Sequence, residues 1–547
     1  MPIPLKAFAF VGSGLGVASH LGYFIHGEHH MEGMRIFLAF FLVPAFTFAT
    51  ILRYGNSGSY VEASTITTVI TASYTISLFS SIATYRIFFH PLRNFPGPTK
   101  LKFSKFNHSS LVVTEGTKNF QTVDRLHKEY GEFVRVGPNE LSITAPEAVN
   151  QILGAGTKCR KAEWYDCVAY PEKALNLERN RIIHGARRKI WDRAFSAKSL
   201  RDYEGRVKIY TDQLMSQLNA NSGKAIDACQ WFNFYAFDIM GEMAFGQSFE
   251  MIKSGTEHKL LSLMHNGMAS IGPLTPIAWI LPLLKQIPGA AKESKEFVKY
   301  NTEQVARRKQ YTPEAPDLFS FFIDAEKNDP NPMHKDPNWL IGDCGLVIVA
   351  GSDTTTATLS HIFYHLAKSP HIFSKLREEL DSSYQAGSYT EFKDLQEARY
   401  LNGIINEALR LHPPTPSGLL RVTPPEGITI KETIVPGNVT VSTPFWSIGR
   451  LESCYEKASE FVPERWYEKP EMVIEKNVFV PFSAGPMGCV GKQLGLMELR
   501  NVTARIVSQF DVKFAPGEDG TGLLEKSRDV FTLALASMML MFTRRER

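Results

Sequence analysis

Pro481-Phe482-Ser483-Ala484-Gly485-Pro486-Met487-Gly488-Cys489-Val490-Gly491 is the stretch on which the reading of the whole chain turns. An aromatic residue, three glycines and one cysteine run directly into an amphipathic pattern, with Leu494, Met497, Leu499, Val502, Ile506 and Val507 at near-helical spacing. Cys489 therefore falls on a glycine-rich loop at or just before a helix N-terminus. Backbone N–H groups and the helix dipole are expected to lower a thiol pKa there. The glycines let a flat, bulky group approach the backbone closely. From these residues alone Cys489 reads as a haem-iron ligand, a catalytic nucleophile or a small buried hydrophobe.

Bulk properties exclude some partners. The chain has 547 residues and a net charge of +4, with Lys and Arg scattered rather than gathered in a basic stripe, so nucleic acid is not expected. The six cysteines form no C-x-x-C pair and no zinc spacing, a pattern suited to a reducing compartment. Three apolar stretches, Ala7 to Ile25, Ile36 to Leu52 and Ala63 to Tyr85, approach the ~20 residues of a membrane-spanning helix. The first lacks the small-residue cleavage site of a signal peptide, so retained spans are expected. The third is rich in Ser and Thr and is the weakest candidate for a lipid-facing helix. Arg86, Arg93, Lys100, Lys102 and Lys105 follow it, which places the C-terminal part on the cytosolic side and, with three spans, the N-terminus in the lumen. His26, His29 and His30 between the first two stretches have metal-like composition but are read as a polar interspan loop.

A proline-rich break, His90 to Pro98, ends the last apolar run, because prolines fix φ and hold their predecessors extended. The expected organisation is a membrane anchor over residues 1–90 and one large domain over 91–547. Phe133–Gly137 and Leu141–Thr144 alternate as an early hairpin. His184 and Arg188 share a helix face at i,i+4. Ser270–Leu284 is apolar but too broken by proline for a simple spanning helix. Asp343–Leu366 reads as a long apolar helix interrupted at Ala350-Gly351-Ser352-Asp353-Thr354-Thr355-Thr356. Leu401–Pro414 is a helix ended by a proline pair, with Glu407 and Arg410 as i,i+3 neighbours. Phe461-Val462-Pro463-Glu464-Arg465-Trp466 follows.

In this order and spacing the motifs resemble the cytochrome P-450 family, microsomal type, with closest flavour to fungal members that carry several N-terminal spans. Phe482, Gly485, Cys489 and Gly491 match F-x-x-G-x-R-x-C-x-G, but Met487 stands where the family has Arg or His, which donates to a haem propionate. Ala350, Gly351, Asp353, Thr354 and Thr355 match (A/G)-G-x-(D/E)-T-(T/S), and Glu407, Arg410 and Arg465 match the E-x-x-R helix and its later arginine. The resemblance implies a mainly α fold with a smaller β-rich part, burying haem b. Cys489 is then the axial thiolate, with Phe482 and Gly485 shaping its loop. His184, Arg188 and Arg421 serve the propionates, Thr354 hydrogen-bonds oxygen and Asp353 relays protons. Glu407, Arg410 and Arg465 form a structural network that fixes the loop presenting the cysteine. Pro416 to Leu420 and Asp529 to Thr532 would line the pocket, roofed by Ser270–Leu284.

The implied activity is monooxygenation: one atom of O2 inserted into an apolar small molecule, with secondary-metabolite biosynthesis as the expected setting. The implied partners are NADPH–cytochrome P-450 reductase and membrane lipid, at the endoplasmic reticulum. Rival readings are a haem-thiolate enzyme for oxidative coupling or rearrangement, and a non-catalytic haem- or lipid-binding membrane protein.

Overall fold

Glycines decide how the N-terminal helices meet. Leu5–Phe24, Gly33–Tyr54 and Tyr60–Phe89 are each long and apolar enough to cross a membrane. A Cβ on Gly12 would lie 2.3 Å from Ser73 Oγ and 2.5 Å from the Ile70 carbonyl; one on Gly16 would lie 2.4 Å from the Tyr74 carbonyl. Small residues four apart thus let the first and third helices pack backbone to backbone. The pairing ascends in both, from Gly12 against Ile70 to the His20 Nδ1–Ser81 Oγ bond at 2.8 Å, so the two helices are parallel. The third helix keeps its form despite its hydroxyls because they bond back one turn: Thr65 to the Val61 carbonyl (2.8 Å), Ser73 to Val69 (2.6 Å) and Thr75 to Thr71 (2.8 Å).

In this computed structural model, which describes residues 4–55, 59–169, 172–382 and 392–546, the parallel arrangement returns the loop between the first two helices to the body that follows. Glu28 pairs with Arg160 (2.8 Å) and Arg179 (2.8 Å), while His30 Nε2 meets Asp166 at 2.9 Å. Glu28, His30 and Asp166 offer ligand atoms within 4.8 Å of one another. Arg160 and Arg179 already neutralise both carboxylates, so the cluster is an ion-paired clasp rather than a cation cage.

The body is mainly helical, with short strands set to one side and the termini of its sheets far apart in sequence. A five-stranded sheet runs Phe133–Gly137, Glu140–Ile143, Thr440–Ser442, Arg421–Val422, Arg160–Lys161. The expected hairpin is its first pair, in antiparallel register Phe133↔Ile143. At the far edge Lys161 pairs with Arg421, which sets their side chains beside each other. A three-stranded sheet (Ala225–Asp227, Met539–Arg544, Phe510–Phe514) and two hairpins complete the β part.

The largest core surrounds one 32-residue helix, Pro337–Lys368. Its expected interruption does not occur: the helix runs unbroken through Ala350–Thr356. The Gly and Thr residues are carried because Ser352, Thr354 and Thr358 hydroxyls return to carbonyls one turn back (2.6, 2.7 and 2.9 Å), and because packing on both sides outweighs their poor propensity. Lys259–Leu274, a 3₁₀ stretch Thr275–Ile280 kinked at Ile277, and Leu281–Gln286 run on as one helical stretch that covers this body. Against the expectation from its prolines, Lys259–Gln286 is by length and composition a fourth helix apolar enough to cross a membrane.

Three histidines are buried together where this long helix meets Arg399–Leu411. His361 stacks on His412 (4.2 Å), His365 Nε2 lies 3.0 Å from His412 Nε2, and His365 stacks on Phe461 (3.8 Å). Burial holds His361 down to about 4 and keeps His365 and His412 well below the ordinary range. These rings are neutral in the fold, whereas the unfolded chain protonates them near pH 6.5. Stability is therefore whole above about pH 6.5 and is lost progressively as pH falls toward 4; at about 1.4 kcal/mol per unit, His361 alone removes roughly 3 kcal/mol by the acid end. The melting temperature should fall with acidification over this window, and His365→Phe, which keeps the stack on Phe461, should make that slope shallower.

Candidate active site

Cys489 reaches its position through its own loop. Gly485 sits at φ +64°, and a Cβ there would lie 2.5 Å from the Gly154 carbonyl, so conformation and space both demand glycine. The loop doubles back so that Cys489 N–H donates to the Phe482 carbonyl (2.8 Å), and Lys492 lies over the Phe482 ring. The following helix begins at Lys492. Burial raises the Cys489 thiol, the reverse of the sequence expectation. The N–H groups of Gly491 and Lys492 and the charges of Arg188 and Lys492 do act in the expected direction, but they are outweighed. The residue is exposed, and its sulfur opens onto a cavity.

That cavity has a volume of about 660 Å³, inside the ~300–1,000 Å³ usual for cofactor and ligand sites. Cys489, Phe482 and Met487 face it from the loop, and Ala350, Gly351, Thr354 and Thr355 from the long helix. Asp353 does not line it. Its side chain is buried behind the helix, with Thr532 Oγ1 donating to Oδ2 (3.2 Å) and His265 Nε2 at 3.3 Å from Oδ1.

His184 and Arg188, from the helix Arg181–Ala194, both line the cavity, as does Arg421. Arg188 donates to the Gly488 carbonyl (2.6 Å) and pairs with Asp192 (2.7 Å); Arg421 donates to Tyr165 Oη (3.2 Å). A fourth basic group, Lys161, was not singled out from sequence. Its ammonium donates to the Leu175 carbonyl (3.1 Å), and burial together with the Arg421 charge pushes it down to about 7. Burial and the same cations take His184 to about 4. Lys161 lies on a two-residue strand with no periodic signal, and only the long-range pairing with Arg421 brings it here. These four basic groups crowd together, with Asp192 and Glu178 acting against their charge, an arrangement suited to an anionic edge.

Glu407, Arg410 and Arg465 are brought into direct contact, all with fully buried side chains. Arg410 grips Glu407 with two bonds (2.9 and 2.7 Å), while Arg465 Nε (3.0 Å), Trp466 Nε1 (2.9 Å) and the Val462 N–H (2.8 Å) complete its acceptor set. The guanidiniums are satisfied in turn by the Ala458 and Glu460 carbonyls on Arg410 and the Glu456 and Lys457 carbonyls on Arg465. A second buried pair was missed in the sequence: Arg187 Nε meets Asp343 Oδ2 at 2.7 Å, with Trp191 Nε1 at 3.2 Å, tying the His184 helix to the long helix. Arg187 sits in a basic run that reads as a solvated face.

A protein-family model for cytochrome P-450 matches residues 96–540. The chain belongs to the cytochrome P-450 family. Among its relatives, the cytochrome P-450 monooxygenase FCK2 of Fusarium pseudograminearum is 40% identical over 97% of this chain and 96% of its own. Tryprostatin B 6-hydroxylase of Aspergillus fumigatus is 38% identical over 100% and 98%, and the monooxygenase notG' of Aspergillus versicolor is 35% identical over 100% of both. The similarity thus includes the N-terminal apolar helices, which suggest membrane anchoring. Family membership implies a haem held through a cysteine thiolate, and the donor set fits it: one cavity-facing sulfur, a glycine-dependent loop, and a cationic edge suited to propionates.

Replacing Glu407 with Gln leaves two buried guanidiniums without their anion. An unpaired buried charge costs about 3–5 kcal/mol. Glu407→Gln should lower the urea midpoint strongly, whereas loss of the exposed Lys158–Glu426 pair (3.1 Å) by Glu426→Gln should leave it nearly unmoved.

Proposed function

We propose that this protein is a membrane-anchored haem-thiolate monooxygenase that hydroxylates an apolar small molecule in secondary-metabolite biosynthesis. The observation that carries the reading is the arrangement around one cavity: Cys489 Sγ on the loop, the Ala350–Thr355 segment on the long helix, and Lys161, His184, Arg188 and Arg421 at one edge. Tryprostatin B 6-hydroxylase, full-length similar, is named for a hydroxylation, which favours that outcome over coupling or rearrangement. The anchor occupies residues 1–90 and the catalytic domain 91–547; three spans place the domain in the cytosol at the endoplasmic reticulum, where NADPH–cytochrome P-450 reductase supplies electrons.

Cys489 provides the thiolate and its loop fixes the direction from which the sulfur is presented. Haem, when bound, supplies the reductive activation of dioxygen. His184, Arg188, Arg421 and Lys161 hold the propionate edge. Lys161 takes the place of the cation that Met487 lacks. The Thr354 hydroxyl, now bonded to the Ala350 carbonyl, faces the cavity to orient oxygen, and Asp353 behind it relays protons. The substrate meets an apolar wall from Leu263, Met264, Met268 and Ile271, and the stacked pair Trp164–Phe531 (4.7 Å). Phe531 is held at φ +90°, a strained conformation that fixes its ring in that wall.

Two measurements test this. The reduced carbon monoxide difference spectrum should show a thiolate-type Soret band that Cys489→Ala abolishes; a band indifferent to that change overturns the assignment. For the propionate edge, Lys161→Met should accelerate haem loss to apomyoglobin several-fold, and Met487→Arg in that background should slow it again. Equal haem loss in wild type and Lys161→Met would remove Lys161 from the haem site.

A further inference from the structure

The long helix presents Asp353 away from the cavity, so whatever supplies its proton must come from behind. Its side chain is 6% exposed and meets two side chains: the Thr532 hydroxyl, which does not ionise here, and His265. His265 belongs to the covering helix Lys259–Leu274 and its side chain is 38% exposed. One face of this ring reaches water and the other reaches a carboxylate that water does not. A carboxylate only accepts, so the 3.3 Å contact requires Nε2–H as donor. The distance is at the long end for a hydrogen bond, as relay contacts often are before substrate binds.

We propose that His265 is the solvent-side member of the proton relay, delivering protons to Asp353 Oδ1. The inference rests on the reading of Asp353 given above and adds a residue to it. Monooxygenation consumes substrate, O2, two electrons and two protons, and yields hydroxylated product and water. For each proton, the imidazolium gives its Nε2 proton to Asp353 and keeps Nδ1–H. Asp353 passes the proton to the Thr354 side of the helix, and hydronium from solvent reprotonates the part-exposed ring at Nε2, leaving water and the starting imidazolium. Burial works against the charged ring, but the hydrogen bond and charge of Asp353, with the charge of Glu257, outweigh it and hold His265 above the ordinary imidazole range. The neighbouring Asp529, on the hairpin packed against the covering helix, is engaged by Ser417. On the adjacent helix Lys292–Arg308, Glu296 is taken by Lys259 (3.4 Å) and Lys292 (3.9 Å). Asp353 and Glu257 are thus the charges that set the protonation of His265.

The relay has a spectroscopy-free readout in the full-length protein in nanodiscs. The rate of His265 carbethoxylation by diethyl pyrocarbonate, followed by peptide mass spectrometry across pH, reports its neutral fraction. Its midpoint should lie above 6.5 in wild type and fall in Asp353→Asn; an unshifted midpoint in that variant overturns the coupling. The second measurement is NADPH oxidation by the reductase-reconstituted enzyme without added substrate, at matched carbon monoxide band intensity. His265→Gln should slow it about three- to tenfold and enlarge its solvent deuterium effect, His265→Lys should restore most of the rate, and His265→Gln with Asp353→Asn should be no slower than Asp353→Asn alone. If Asp353→Asn is impaired while His265→Gln matches wild type in rate, pH profile and isotope effect, His265 is not in the relay and Asp353 stands. If Asp353→Asn is itself unimpaired, the reading of Asp353 fails and the relay with it.

Discussion

A carboxylate with no solvent exposure is tolerated only when its acceptor sites are filled by donors, and Glu407 is built around that constraint. Its two oxygens receive Arg410, Arg465, Trp466 and the Val462 N–H, drawn from two segments more than fifty positions apart in the chain. The arginines then spend their remaining N–H groups on carbonyls of the 449–460 loop. One ion triad thus locks a loop region that has almost no regular structure of its own. The Cys489 loop packs beside it, through Phe479 against Trp466 (4.3 Å). Without that lock a thiol on a glycine-rich loop has no fixed direction, because glycine supplies freedom rather than position. The Asp343–Arg187–Trp191 cluster does the same for the opposite wall, joining the helix that carries His184 and Arg188 to the one that carries Thr354.

What the sequence made legible was local or periodic. The cysteine loop, the apolar N-terminal helices, the first hairpin and the E-x-x-R helix each depend on residues close together in the chain, and each stands in the structure near its expected bounds. Three things were not legible. The direction of the Cys489 shift depended on how deeply the loop would be enclosed, and enclosure is a tertiary property. The integrity of the long helix through Gly351 and the threonines depended on packing that overrides propensity. Lys161 and His265 carry no local signal at all: one enters through a strand pairing across 260 positions of chain, the other through a contact spanning 88.

The anchor shows how a small-residue pattern can have consequences far from itself. Gly12 and Gly16 bring the first and third helices together in parallel, and a parallel pair requires the connecting loop to return to the side where the catalytic body begins. There Glu28 and His30 meet Arg160, Arg179 and Asp166. Asp166 lies between Tyr165 and Cys167, which line the cavity, and a Cβ on Gly33 would touch Leu283 of the cover (3.3 Å). The apolar cover and the apolar N-terminal helices are thereby held next to one another.

Met487 tests whether a family pattern is a rule about residues or about physics. A bound dianionic edge in a cavity of low polarity requires positive charge within reach, and charge acts through distance rather than through chain position. Here the loop carries Met487 rather than a cation, and a lysine lies on the sheet strand paired with Arg421. Its ammonium is the one whose charged state is most strained, brought down to about 7 by burial and by the neighbouring guanidinium. A lysine kept in that condition costs the fold stability for as long as no anion is near, and the cost is relieved when one arrives. The crowding of Lys161 against Arg188 and Arg421 therefore favours an anion at this edge, which is the physical ground for proposing that Lys161 offsets the absence of a cation at Met487.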